Sequence, residues 1–516
     1  MAGSTPRSIF VEMIAVQKST PVGQAVARSL QSTPIDPPPQ SGRVTSGRVG
    51  ALRRIAEEEW APALLILLCD IISWVGIYNL FSLIRQDQYF SSTFEFAIIA
   101  LIQLTVIIQS LFVIGGYSHR TETRGLAYTA EHILAMIAAL AVSSLVLYVA
   151  ATFDQSMKPS RGAVLLSFLA FTPISILYRR ALRKRIAAAA ANRAFLVIGA
   201  GELASDFYNA YRGSGNEQRL EFVDLEETRA GQPIAGASSP IIEGNLFSKL
   251  SGASRRYSGI ILAERLERIR PELLEKLVRT QFQRMRVYTL ESFYEDHWRH
   301  VPIQSIDPFW PLQTGFQLSR TSPYHYLKRL LDIIAAIVGL VICFPIMLIV
   351  ALLILVGGGR PIIFKQQRVG RDEHLFTIYK FRTMRNGGGE ETGEIYTRKN
   401  DPRVFRVGGW LRKLRLDELP QLWNVLKGDL SLIGPRAEWI ECARRYRDNI
   451  PLYHFRHLVK PGITGWAQVN YPYGESDEDA IEKLKYDLYY IRHYSLKLDA
   501  MIVLKTIHTM LFGKGR

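Results

Sequence analysis

The sequence predicts a membrane-embedded helical protein combined with α/β structure, from three observations. Four long apolar runs follow a polar arm, and a strand, a glycine-rich turn and a helix come next in that order. A fifth apolar segment, with cations on both sides, then opens a region rich in Arg, Lys, Gly and aromatic residues. At 516 residues the chain is long enough for two or three domains. A soluble enzyme rarely combines 48% apolar residues with a mean hydropathy of +0.05, which directs attention to membrane spans. The net charge of +16 implies anionic partners, either phosphate groups or a lipid surface. No basic helix or aromatic stacking motif supports nucleic acid as a partner. Cys69, Cys343 and Cys442 lie far apart, which argues against a disulfide framework or a metal-ligand spacing.

Residues 1–58 are rich in Ser, Pro, Gly and Arg without a sustained period, and read as a disordered cytoplasmic arm with no cleavable signal peptide. Residues 59–186 hold the apolar runs Ala61 to Ile84, Phe96 to Gly116, Ile133 to Thr152 and Gly162 to Tyr178. A bilayer core needs ~20 apolar residues per helix, which three runs supply. The fourth is short, contains Pro173, and spans only if its flanking arginines snorkel. Arg43, Arg48, Arg53 and Arg54 precede the bundle, and Arg179, Arg180, Arg183, Lys184 and Arg185 follow it. The positive-inside rule places both ends in the cytoplasm, and Arg120 and Arg124 in the middle loop fit less decisively. Asp70 lies inside the first run; of a functional carboxylate and a polar contact between helices, the contact is the favoured reading.

Residues 190–315 read as α/β. Ala194 to Ile198 is a short apolar strand running into Gly199-Ala200-Gly201 and then a helical stretch, with further strands at Leu220 to Asp224, Gly259 to Ala263 and Arg286 to Leu290. This is a Rossmann-type opening, which makes Gly199, Gly201 and Asp224 the candidates for a nucleotide site. The competing reading keeps the glycine turn for packing alone.

Residues 322–516 form the last region. Its apolar segment, Leu330 to Val356, follows Lys328 and Arg329 and precedes Arg360, Lys365, Arg368 and Arg371. Cations on both sides place both ends in the cytoplasm, and Pro345 removes a backbone donor at mid-segment. A re-entrant helix over 328–357, broken at Pro345, satisfies both observations; the alternative is a plain tilted span. The apolar stretch Ala500 to Phe512, with Lys505 and His508 on one face, is expected to lie in the membrane interface.

Within this region Asp417 and Glu418 stand among Arg412, Lys413 and Arg415. Pro420 starts a short helix well and Gly428 ends one. The acids then lie at a helix N-terminus, which favours anions, so both are expected to stay ionised beside a phosphate site. A carboxylate attacking phosphorus needs a divalent cation and arginine clamps against like-charge repulsion. Magnesium takes one or two carboxylates plus substrate phosphates, so one acid can act as nucleophile and its neighbour as ligand. The alternative is that both acids only cap the helix.

Arg415 to Gln421 and Asn424 to Arg436 resemble the bacterial sugar transferase family, the polyprenyl-phosphate hexose-1-phosphate transferases. Lys328 to Asp332, Phe364 to Gly370, Tyr379 to Met384, Asn400 to Arg403 and Lys460 to Asn470 resemble it too, in order, from about Tyr324 onward. The upstream helices and Rossmann-like module look like its large multi-pass branch. The resemblance implies a monotopic catalytic domain in the bacterial inner membrane, acting in exopolysaccharide assembly. Asp417 would attack the β-phosphorus of a UDP-hexose and release UMP, and the aspartyl-phosphosugar would pass its group to undecaprenyl phosphate. Glu418 would hold Mg2+, and Arg436 would bind substrate phosphate, with Lys380 and Arg382 as further candidates. Two departures stand out: Ala437 replaces the proline usual after that arginine, and Tyr471-Pro472-Tyr473 follows Asn470 where many members carry Gly and Arg. A membrane glycosyltransferase making a monophosphate-linked sugar and a non-catalytic nucleotide-binding scaffold are the rival readings. The hexose and the oligomeric state, a homo-oligomer included, are not legible.

Overall fold

The computed structural model describes residues 60–511, apart from 87–93, 119–120, 122, 124, 154–159, 191–192, 216–217, 252, 283–284, 307–309, 313–314, 386–402, 472–473 and 475. The expected arm, Arg120, Arg124 and the stretch Asn400 to Pro402 lie outside the described residues.

The four apolar runs fold as α1 (Ala61–Gln86), α2 (Phe94–Val113), α3 (Leu126–Phe153) and α4 (Arg161–Ala190). Of these α1, α3 and α4 are long and apolar enough to cross a membrane, whereas the apolar part of α2, Ala97–Val113, is shorter. The expectation of a short fourth run is therefore corrected. α4 continues past Pro173 because its arginines find partners within the bundle and need not snorkel. Arg179 pairs with Asp70, Arg180 donates to the Thr123 carbonyl (3.1 Å) and Thr129 Oγ1 (2.6 Å), and Arg183 donates to the Ser118 carbonyl. Trp74, Phe168 and Phe171 interlock edge to face at the centre, while Ile72, Leu145, Leu169 and Leu177 are turned outward and exposed. An apolar exterior around a packed core is the composition that lipid selects.

The α/β region comprises β1 (Ala194–Ile198), α5 (Glu202–Gly213), β2 (Leu220–Val223), β3 (Ile242–Glu243), β4 (Tyr257–Leu262), α6 (Pro271–Phe282), β5 (Val287–Thr289) and α7 (Leu290–Trp298). Its sheet is wholly parallel in the order β3-β2-β1-β4-β5. Every β1 residue is buried, as expected of a central parallel strand covered on both faces.

The last region opens with α8 (Tyr324–Gly358), the fourth helix long and apolar enough to span a bilayer, with Pro345 inside it. An antiparallel hairpin follows, β6 (Ile363–Val369) and β7 (Leu375–Phe381), then α9 (Arg406–Lys413), a 3-10 turn Leu416–Glu418 and α10 (Gln421–Lys427). β8 (Ser431–Ile433) and β9 (Gly462–Thr464) pair in parallel, before α11 (Asp477–Arg492) and α12 (Leu496–Leu511). Both halves of α8 rest on this region. Ala336 packs with Phe376, Val425 and Leu430; Val350 and Ile354 pack with Phe381, Phe405 and Leu411. Most of the remaining apolar side chains of α8, from Leu330 to Val356, are exposed. The polar face of α12 meets protein, while Val503, Ile507 and Met510 are turned outward and exposed. Lys505 reaches Glu131 of α3 (3.6 Å) and Asn470 (3.1 Å), and His508 is buried.

Candidate active site

The acid pair is positioned by a backbone device. Arg415 adopts the left-handed region at φ +58°, which costs a non-glycine residue roughly 1–2 kcal/mol and turns the chain sharply after α9. Pro420 and Gly428, the latter at φ +100°, cap the two ends of α10 as the sequence indicated. Leu416 and Leu419 pack with Val350, Ile354 and Phe381, fixing the turn beside the C-terminal half of α8. Asp417 lies between them and is only 8% exposed.

Two clamps aim cations at the pair. Asn424, buried on α10, accepts the Tyr379 N–H at 3.1 Å and donates to the Thr377 carbonyl at 2.7 Å. This locks α10 to β7 and brings the Lys380 ammonium to Glu418 Oε1 at 2.9 Å. The Gly434-Pro435-Arg436 turn brings Arg436 Nη2 to 3.7 Å from the same oxygen. Buried Arg456 holds that turn from behind, donating to the Arg436 carbonyl (3.1 Å) and to Asp487 Oδ2 (2.8 Å).

The two carboxylates are driven apart electrostatically. Burial pushes Glu418 up, but Lys380, Arg436 and Arg415 outweigh it and bring the group down to about 2. Burial and the charge on Glu418 push Asp417 up, with Lys380 and Arg412 opposing. The two acids thus titrate apart, Asp417 above its ordinary value and Glu418 below. Paired acids separated in this way are how sites assign distinct roles to like groups. Lys380 is itself lowered, by burial and by Arg436, against the pull of Glu418.

The structure thus brings together Asp417, Glu418, Lys380 and Arg436. Arg382 stands apart, its guanidinium donating to the Gly358, Gly359 (2.7 Å) and Arg360 (3.0 Å) carbonyls at the end of α8. Asn424, Arg456 and Asp487 were not singled out from sequence. Their signal is tertiary: each is a buried polar group whose partner is distant along the chain.

Among the described residues no group of three His, Cys, Asp or Glu side chains forms a metal cage. Adjacent carboxylates are the donor type magnesium uses beside substrate phosphates, so Glu418 with Asp417 beside it fits that ion.

Of the α/β candidates, Gly199 and Asp224 lie at the ends of neighbouring strands, the Gly199 N–H donating to the Val223 carbonyl (2.9 Å). A Cβ on Gly199 (φ +134°) would stand 2.4 Å from the Ala263 carbonyl, so its glycine is required by packing. Asp224 accepts from the Arg229 N–H (2.9 Å) and Thr228 Oγ1 (3.0 Å) of its own loop. Gly201 alone borders a cavity of 870 Å³, lined also by Glu202, Asp206, Glu264, Glu267 and Arg265.

Fold and site define a membrane protein with a cation-framed carboxylate pair beside an apolar helix. The sequence model of the family described as "Bacterial sugar transferase" matches residues 323–513. The chain is 40% identical over 195 residues to the exopolysaccharide production protein PSS of Rhizobium leguminosarum bv. phaseoli, covering 37% of this chain and 98% of that one. It is 40% identical over 275 residues to a UDP-N-acetylgalactosamine-undecaprenyl-phosphate N-acetylgalactosaminephosphotransferase of Aeromonas hydrophila, covering 53% and 64%. An undecaprenyl-phosphate glucose phosphotransferase of Komagataeibacter xylinus is 36% identical over 235 residues, covering 44% of each chain. The matched part thus spans 64% and 44% of the latter two relatives. This chain belongs to the bacterial sugar transferase family.

Proposed function

We propose that the protein transfers a hexose 1-phosphate from a UDP-sugar to undecaprenyl phosphate, giving undecaprenyl-diphosphate-sugar and UMP, at the first membrane step of exopolysaccharide assembly. The observation that carries this is Glu418, ionised between Lys380 and Arg436, next to a buried Asp417 beside α8. The relatives' names supply the donor, the acceptor and the pathway class.

An Asp417 carboxylate oxygen attacks the β-phosphorus, the bond to the UMP oxygen breaks, and UMP leaves with the electron pair. An oxygen of undecaprenyl phosphate then attacks the aspartyl phosphorus and returns the Asp417 carboxylate. Lys380 and Arg436 neutralise phosphate oxygens, and Arg412 favours the ionised form of Asp417. Glu418 would hold Mg2+, which would neutralise charge on the phosphates.

The membrane reading follows from α8. Both its halves rest on one region, which supports a re-entrant segment that bends at Pro345 and returns to the cytoplasmic face of the inner membrane. Exposed Trp410, Leu414 and Trp423 extend that apolar surface around the acid pair. The parallel sheet order supports a doubly wound, Rossmann-like module. The test is nucleotide identity: purified protein with UDP-hexose and undecaprenyl phosphate releases UMP, and donor labelled in its β-phosphate leaves label on the protein. Release of UDP with an unlabelled protein refutes the reading in favour of a monophosphate-linked product.

A further inference from the structure

A second cluster of positive charge lies away from the chemistry. His325, Arg329, Arg371 and Lys460 line a crevice together with Asp332 and Tyr494. α10 separates it from the acid pair: Asp417 and Glu418 precede its first residue, whereas Arg329 donates to the Val425 (2.6 Å) and Leu426 (2.8 Å) carbonyls at its last turn. Seven residues of helix put about 10 Å between the two places.

Each member of the cluster can be accounted for. Lys328, the other cation of this segment, is consumed by buried Asp499. Asp332 accepts the Leu432 N–H at 3.0 Å. Arg371 approaches His325 Nε2 at 3.5 Å and its neighbour Asp372 at 3.3 Å. A Cβ on Gly428 would stand 3.2 Å from Arg329 Nη2 and 3.6 Å from Lys460 Nζ, so these two cations face one point. The Lys460 ammonium has no hydrogen-bond or ion-pair partner among the described residues. Burial and the guanidinium groups of Arg329 and Arg371 hold Lys460 below its ordinary value, against the pull of Asp332 and Asp429.

The surroundings identify the missing charge. Tyr326 is 80% exposed and Leu330 54%, and the apolar face of α8 begins there. An aromatic ring and basic side chains together, at the start of an apolar helix, are what a headgroup layer above acyl chains selects. We propose that His325, Arg329, Arg371 and Lys460 form an anion site for the headgroup phosphate of an anionic membrane lipid, distinct from the substrate phosphates at Asp417. The site rests on the membrane reading of α8 given above. Such a lipid ties the start of α8 to the bilayer surface.

The experiment uses the full chain in nanodiscs of phosphatidylcholine doped with a phosphatidylglycerol probe carrying a headgroup diazirine, with cross-links mapped by proteolysis. Peptides holding His325 and Lys460 take up the probe, and a phosphatidylcholine probe labels them less. Lys460→Gln and Arg371→Gln each lower the labelling about fivefold, as expected for losing one cation near an anionic surface. Lys460→Arg retains it. Labelling unchanged by either glutamine substitution overturns the site. Suppression by millimolar inorganic phosphate overturns the lipid assignment in favour of a soluble anion. UMP release from the same nanodiscs is read separately, so failure of the transferase reading is distinguishable from failure of this one.

Discussion

The acid–arginine cluster of the helix bundle and the one at Asp417 and Glu418 are built oppositely. In the bundle, Asp70 accepts from both terminal nitrogens of Arg179 (2.8 and 2.6 Å), from Tyr117 (2.7 Å) and from Tyr178, with both charged side chains wholly buried. Every strong acceptor position is filled. At the other place two carboxylates face Lys380, Arg412, Arg415 and Arg436, and the Arg436 side chain is 34% exposed. Cations there exceed acids. A carboxylate with its acceptor positions filled holds helices together, whereas an excess of oriented cations beside a buried acid is a place for a phosphate.

The sharpest break in the comparison is Asp417→Asn. UMP release is expected to fall at least about 10³-fold with thermal unfolding unchanged, because the nucleophile is lost and no fold contact is. Activity within tenfold of the native protein would equate the two clusters. Next comes Asp70→Asn, which strands Arg179 and is expected to destabilise the bundle by about 3–5 kcal/mol, read as a drop in unfolding temperature in nanodiscs. Asp70→Leu with Arg179→Met should recover only part of that loss, since it removes the stranded charge but leaves the Tyr117 and Tyr178 hydroxyls without their acceptor. Arg412→Gln is subtler. Arg412 opposes the rise of the Asp417 carboxyl, so its removal raises that group further and moves the acid limb of the pH–rate profile to higher pH. A limb that stays put, or moves down, would detach Arg412 from the nucleophile. The smallest effect is expected from Ser476→Ala, which removes the capping box of α11 for about 1 kcal/mol and leaves UMP release per folded molecule unchanged.

Local rules made much of this legible in advance. Strands β1, β2, β4 and β5 announced themselves by apolar runs bounded by turns, and the ends of α10 by Pro420 and Gly428. β3 escaped because two residues carry no period. The reach of α4 escaped because its arginines look like a membrane boundary until Asp70 and the Thr123 carbonyl are seen beside them. Lys380 in β7 and Arg382 just after it illustrate the same limit. They are alike in sequence, yet one meets Glu418 and the other the carbonyls ending α8. Arg456 with Asp487, and Asn424 with Thr377, are contacts across the fold, and nothing local to either partner records them.

That placement of Arg382 has a mechanical consequence. Its guanidinium grips the last carbonyls of α8, and two residues earlier Lys380 touches the acid pair. The strand end is therefore a short rigid lever between the apolar helix and the nucleophile. With α8 seated in lipid as proposed, the depth of that helix sets the height of Asp417 above the acyl chains, and bilayer thickness becomes a variable of the reaction rate.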